Sequence, residues 1–252
     1  MFLISRIPFI FAFDNHTQCA DYYIWMAACL LSCTKGYRIK GVTDVTYVEG
    51  KVVSLMTTKD NEWHLLDSCE ILHGQFRMNG RIDSVVIGTL FLDGKPVLPI
   101  IVEPGKVDIE LSNWQLTVTG TTLNDSLYSF IRRKHKLDLR VAEMERMEPQ
   151  MIMNGYSQEA IQARVDSVYQ QLSDEMQALV CGFIGDNYHN VLGLCGFSML
   201  CNGLPYPIIT PLIQQVIDEA PQEFLDHPSI REFLQMAHEN TDYDGWASVV
   251  EN

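Results

Sequence analysis

A chain of 252 residues with 47% hydrophobic and 20% charged residues holds enough apolar material for one large or two smaller folded domains, which excludes a disordered chain. Its 18 basic and 32 acidic residues leave a net charge of −14, which repels phosphate backbones and gives no polybasic grip on anionic lipid heads. Nucleic acid is therefore not an expected partner, and any membrane attachment must be hydrophobic or covalent.

The first element is an apolar run from Tyr22 to Cys33. It is too short to cross a bilayer, which takes about 20 apolar residues, but it has the length of a signal-peptide core. Its end, Leu30-Leu31-Ser32-Cys33, resembles the lipobox of bacterial lipoproteins. That resemblance implies cleavage just before Cys33 and a diacylglycerol on its sulfur, an anchor worth about 0.8 kcal/mol per buried methylene. Met26-Ala27-Ala28-Cys29 is a second, weaker stretch of the same kind. Asp21 stands where lysines are the norm, and Arg6 is the only basic residue upstream. Residues 1–20 thus read either as an unusual leader or as sequence ahead of the true start. The alternative for residues 22–33 is a buried strand or helix. Only Thr34-Lys35-Gly36 follow the cysteine, with no acidic run, so the expectation is a lipid-anchored envelope protein facing the periplasm.

From Gly36 to Gly120 the apolar residues recur at every second position. Phe76 and Met78, then Val107, Ile109 and Leu111, then Leu116 and Val118 alternate with polar residues. Successive side chains of a strand point to opposite faces, so each run predicts a strand with one buried face. Strands are also expected at Tyr37–Val42, Lys51–Thr57, Trp63–Glu70, Ser84–Leu92 and Pro96–Val102, separated by turn pairs such as Asn79-Gly80 and Asp93-Gly94. Many short strands with no room for helices between them predict an antiparallel sandwich or barrel.

After Gly120 the period lengthens. Thr122 with Asp125 reads as a capping box, and Leu123, Leu127, Phe130, Leu137, Val141 and Met144 follow helical spacing with Lys134 interrupting. A second helix is expected over Ser157–Val180, with Ile161, Val165, Val168, Leu172, Met176 and Leu179 as its stripe. The two predict a helical hairpin broken at Asn154-Gly155. Val191–Leu200 is apolar on nearly every side and should be buried. Thr210-Pro211 should start a helix, and Ile230, Phe233, Leu234 and Ala237 a last short one. The fold class is α+β, an N-terminal antiparallel β-sandwich followed by a helical region. The expected divisions are a leader at 1–33, the sandwich at 34–120, helices at 121–240 and a tail at 241–252.

Several segments in this order resemble a family of domains of unknown function that precede thioredoxin-like domains in lipoproteins of Bacteroidetes-type bacteria. They are the strand Lys51–Thr57, Leu66-Asp67-Ser68-Cys69 leading to His73-Gly74-Gln75-Phe76-Arg77-Met78-Asn79-Gly80, and Pro99-Ile100-Ile101-Val102-Glu103-Pro104-Gly105. Gly120-Thr121-Thr122-Leu123-Asn124-Asp125 and Asn187-Tyr188-His189-Asn190-Val191-Leu192-Gly193 complete the set. The resemblance implies a region that positions a redox domain carrying C-x-x-C near its client. No such motif occurs in residues 1–252, so the redox activity carries over to no residue here.

The remaining cysteines, Cys69, Cys181, Cys195 and Cys201, have no zinc-finger or C-x-x-C spacing. Cys181, Cys195 and Cys201 read as small core residues, with a Cys195–Cys201 disulfide left open. Cys69 with His64 or His73 is a nucleophile–base pair on paper only, with nothing to supply an oxyanion site. Asp186, His189 and His135 make no metal spacing. Arg132-Arg133-Lys134-His135-Lys136 reads as a solvated helix face, or as a contact for an acidic partner. Glu103-Pro104-Gly105 reads as a turn. The expectation is a non-enzymatic binding or scaffold module with no cofactor and no metal, anchored to the membrane through Cys33 and associated with thiol–disulfide redox proteins. Its protein partner, small-molecule ligand and oligomeric state are open. The alternatives are a redox accessory protein using its own cysteines, and a remnant of a thioredoxin-like oxidoreductase.

Overall fold

Strands form where the alternation puts apolar side chains on one face. In the computed structural model, which describes residues 35–59, 62–113 and 115–250, they are β1 (Lys35–Thr43), β2 (Val52–Lys59), β3 (Glu62–Glu70), β4 (Gln75–Ile82), β5 (Val86–Leu92), β6 (Lys95–Val102), β7 (Gly105–Leu111) and β8 (Leu116–Thr119). They make two four-stranded sheets, ordered β4-β1-β7-β8 and β3-β2-β5-β6. The chain passes from one sheet to the other four times. Ile39, Met78, Val107 and Ile109 of the first sheet meet Val53, Leu55, Leu90 and Ile100 of the second in one buried core.

One pairing departs from the antiparallel expectation. β1 and β7 run parallel, with Tyr37 opposite Gly105 and Gly41 opposite Ile109. A parallel pair needs a long crossover, commonly a helix. Here the whole of β2 to β6 serves as the crossover, so no intervening helix is required. The other pairs are antiparallel.

The helices are α1 (Thr122–Met153), α2 (Gln158–Gly185), α3 (Val191–Cys201), α4 (Pro211–Glu219), the single turn α5 (Gln222–Leu225) and α6 (Pro228–Val250). α1 and α2 form the expected hairpin. The α2 stripe is the predicted one: Ile161, Leu172 and Leu179 are buried, and Val165, Val168 and Met176 half-buried. Phe130 and Phe183 stack between the two helices with centroids 4.1 Å apart. Ser157 caps α2, Asn190 caps α3 and Thr210 caps α4, each side-chain oxygen accepting a first-turn N–H. Pro211 follows at the first position of α4, where its missing N–H costs nothing.

α1 starts differently from the expected Thr122–Asp125 box. Thr121 is its cap residue and makes no side-chain cap bond. Glu103, from the corner between β6 and β7, takes that role. Its Oε1 accepts from the N–H groups of Leu123 and Asn124 at 2.9 and 3.4 Å. Asp125 reaches back to the Gly120 N–H at 3.0 Å. Glu103 is therefore both a turn residue and the cap of the longest helix.

α1 also seals the edge of β6. Asn124, fully buried, accepts from the Ile101 N–H at 2.9 Å and donates to the Ile101 carbonyl at 2.7 Å. One side-chain amide thus pairs with both backbone groups of a strand residue, as a neighbouring strand would. Pro99 has no N–H, and its carbonyl accepts from the Tyr128 hydroxyl at 2.8 Å. Because helices cover its outer face as well, β6 buries consecutive residues, Ile100, Ile101 and Val102, instead of alternate ones.

α3 lies between the sandwich and the other helices. Leu192 and Cys195 join the sandwich core, and Phe197 joins Ile184, Ile213, Phe224 and Phe233 in a second core. Gly193 lets the turn between α2 and α3 close tightly against the start of α3. A Cβ there would stand 2.5 Å from the Asn187 carbonyl oxygen. Among the described residues, no helix is long and apolar enough to cross a membrane.

Candidate binding cleft

The outer face of the β3-β2-β5-β6 sheet is covered over only part of its width. α1 and α3 lie over β6 and part of β5. Towards β3 the face is open, and a β-bulge there adjusts the strand. β2 and β3 slip register between Leu55 and Met56, which face Asp67 and Leu65, so Leu66 is the extra residue. Trp63 then stands on the outer face, 52% exposed, with its ring edge-on to Phe91 at 5.0 Å between centroids.

Trp63 forms one wall of a cleft of about 660 Å³. Thr57, Thr58, Ile87, Thr89 and Pro99 of the sheet line its floor side. The facing wall comes from α3, with Leu194, Cys195, Ser198, Met199 and Asn202, and from the start of α6, with His227, Ser229, Ile230 and Phe233. On a chain of net charge −14, the described lining contains no Asp, Glu, Lys or Arg. Its polar groups are hydroxyls, thiols, the Trp63 indole N–H, one amide and one imidazole. Thr57 donates its hydroxyl to the Ile87 carbonyl at 2.8 Å. His227 accepts from the Ser229 N–H through Nδ1 at 3.3 Å, which caps α6 and leaves the ring proton on Nε2. Burial lowers the His227 pKa from its ordinary value, so the imidazole is neutral at pH 7. Such a surface can hold apolar groups with a few neutral hydrogen-bonding atoms; it offers nothing to neutralise an ion.

The cysteines do not assemble a reactive site. Cys69 is on β3, Cys181 on α2, and Cys195 and Cys201 on α3, all as free thiols. Burial is the main cause of a raised pKa in each, reaching about 11 for Cys195 and about 12 for Cys201. A nucleophilic or redox thiol requires the opposite shift. The open question of a Cys195–Cys201 disulfide is answered by the helix that carries both. Six residues at about 1.5 Å rise put their Cα atoms about 9 Å apart, beyond the reach of about 7 Å. Cys69 and His64 lie five residues apart on one strand, about 16 Å, and make no pair.

His135, on α1, and Asp186 and His189, both in the turn between α2 and α3, are exposed. Among the described residues, no three His, Cys, Asp or Glu side chains gather where a metal could be held. Arg132, Arg133, His135 and Lys136 are exposed on α1, while Lys134 pairs with Asp138 one turn on at 3.0 Å. Cys33, the expected lipid-attachment residue, lies outside the described residues, as do Cys19 and Cys29. The cleft itself escaped the sequence reading. The sequence predicts a strand at Trp63, but nothing local says that the strand's outer face meets α3 and α6.

Residues 37–127 match the model of a family described as a domain of unknown function, DUF4369. The matched segment runs from β1 through the sandwich and includes Asn124 and Leu127 of α1. No curated protein matches the chain.

Proposed function

We propose that the chain is a non-catalytic binding or scaffold module of the cell envelope, held by a lipid on Cys33 and working beside thiol–disulfide redox proteins. The observation that carries the binding role is the charge-free cleft between Trp63 and α3. Open clefts of a few hundred Å³ with apolar walls and a few neutral polar groups are the usual form of ligand sites. The acidic surface and the lipobox-like Leu30-Leu31-Ser32-Cys33 support attachment by lipid rather than by charge. The resemblance of residues 36–240 to regions that precede thioredoxin-like domains supports the redox association. The raised thiol pKa values speak against redox work by the chain's own cysteines.

Intact mass of the protein extracted from its native membranes, before and after denaturing alkylation without reductant, tests this reading. The expected product begins at Cys33, carries a diacylglycerol-sized addition and takes up alkylating agent at Cys69, Cys181, Cys195 and Cys201. An unlipidated chain retaining residues 1–32 overturns the anchor. Thiols that alkylate only after reduction overturn the non-redox role.

A further inference from the structure

A second open surface lies on the helical hairpin, apart from the cleft under Trp63. Val141, Met144, Tyr169, Leu172 and Met176 of α1 and α2, with Leu212 of α4, line a groove of about 360 Å³. Thr210 and Pro211 at the start of α4 also line it. Tyr169 is 61% exposed and Ile152 56% exposed, although both belong to long, regular helices.

Helical spacing extends the groove and sets its charge. On α1, Val141, Glu145, Glu148 and Ile152 fall at i, i+4, i+7 and i+11, one line along the helix. On α2, Gln162, Asp166, Tyr169 and Ser173 fall in the same pattern. No Lys or Arg shares either line. Arg140 binds Glu175 across the hairpin, and its position, one residue before Val141, is about 100° round α1 from this line. Arg146 and Arg164 sit five residues from Val141 and Tyr169, on other faces. The groove's described lining holds no charged side chain, and the exposed acids Glu145, Glu148 and Asp166 continue the lines of Val141 and Tyr169 from it toward the hairpin tip.

We propose that this groove docks a basic amphipathic helix of a protein partner. The partner's apolar face lies on Val141, Met144, Tyr169 and Met176, and its lysines or arginines lie over Glu145, Glu148 and Asp166. Unbranched methionines suit a surface that adapts to an incoming helix. Val141 to Ile152 spans about 16 Å, room for about three helical turns. The acids repel anionic lipid heads, which excludes a membrane surface. A second copy does not supply the helix through its basic segment 132–136, because Phe130 and Leu137, the apolar residues flanking it, are already buried.

Fluorescence anisotropy with the full chain tests the proposal. The probe is a labelled peptide of about 15 residues with leucines on one helical face and lysines on the other. The expected result is saturable binding, weakened about tenfold or more when the same residues are scrambled and abolished when the lysines become glutamates. The Ile152→Ala/Tyr169→Ala double variant should lose about tenfold, and Glu145→Gln/Glu148→Gln/Asp166→Asn should lose several-fold and flatten the salt dependence. These residues are exposed, so circular dichroism and the urea midpoint should stay unchanged and separate lost docking from lost folding. Equal binding of the scrambled peptide, or no effect of either variant, overturns the proposal. So does a dimer of the chain alone, seen by sedimentation, that Ile152→Ala/Tyr169→Ala dissolves; a second copy would then cover the groove.

Discussion

The two ends of the α1–α2 hairpin are built from one sequence pattern but packed in opposite ways. At the sandwich end of α1, Asn124, Leu127 and Tyr128 are buried and their polar atoms are bonded to β6. Beyond Leu137, no residue of α1 is fully buried, and Val141 and Ile152 are exposed. A helical stripe therefore marks a face that can be buried; what it meets decides whether the burial happens within the chain. The near end is spent on stability. The far end retains apolar surface and the freedom to use it on another molecule.

Stability measurements can break or sharpen that contrast. In urea unfolding, Leu127→Ala should cost about 3–4 kcal/mol, as a fully buried leucine does, against about 0.5 kcal/mol or less for Val141→Ala. Comparable losses would show that the far end is packed after all. Asn124→Ala should cost about 2–3 kcal/mol, because it strands the buried N–H and carbonyl of Ile101. Tyr128→Phe should cost about 1 kcal/mol for one lost hydrogen bond and should also alter the alkaline limb of stability. Burial raises the Tyr128 pKa above its ordinary value. Its neutral form is therefore favoured in the folded chain. That contribution is complete below the unfolded value of about 10 and is lost as pH rises above it. The wild-type chain should lose stability above about pH 10 more steeply than Tyr128→Phe. Arg140→Ala should move the midpoint least, since its partner Glu175 is exposed and the pair is screened by solvent.

The strands were legible because a period of two is local. Phe76 and Met78 needed only their neighbours to announce a buried face. The hairpin was legible for the same reason at a period of three to four, and Asn190 and Thr210 announced their helices by cap chemistry. What escaped was long-range. No residue of β1 signals that its second neighbour is β7, since a parallel register depends on the path of the intervening five strands. Glu103 looked like part of a turn because its two acceptor bonds go to residues twenty positions on. Asn124 is a polar residue in an apolar stripe, and only the β6 edge explains it. The cleft depends on where α3 and α6 settle against a sheet whose outer face gives no periodic cue.

The pairing of Asn124 with Ile101 also bears on how the chain is made. The two residues lie 23 positions apart, so at a synthesis rate of about 5–20 residues per second, strand β6 precedes its seal by about one to five seconds. During that interval an apolar sheet edge with the Ile101 N–H and the carbonyls of Ile101 and Pro99 unmet is available to any other strand. Pro96 and Pro99, which cannot donate along that edge, guard it before the helix arrives. The prolines are protection for the nascent chain, and Asn124 is protection for the finished one.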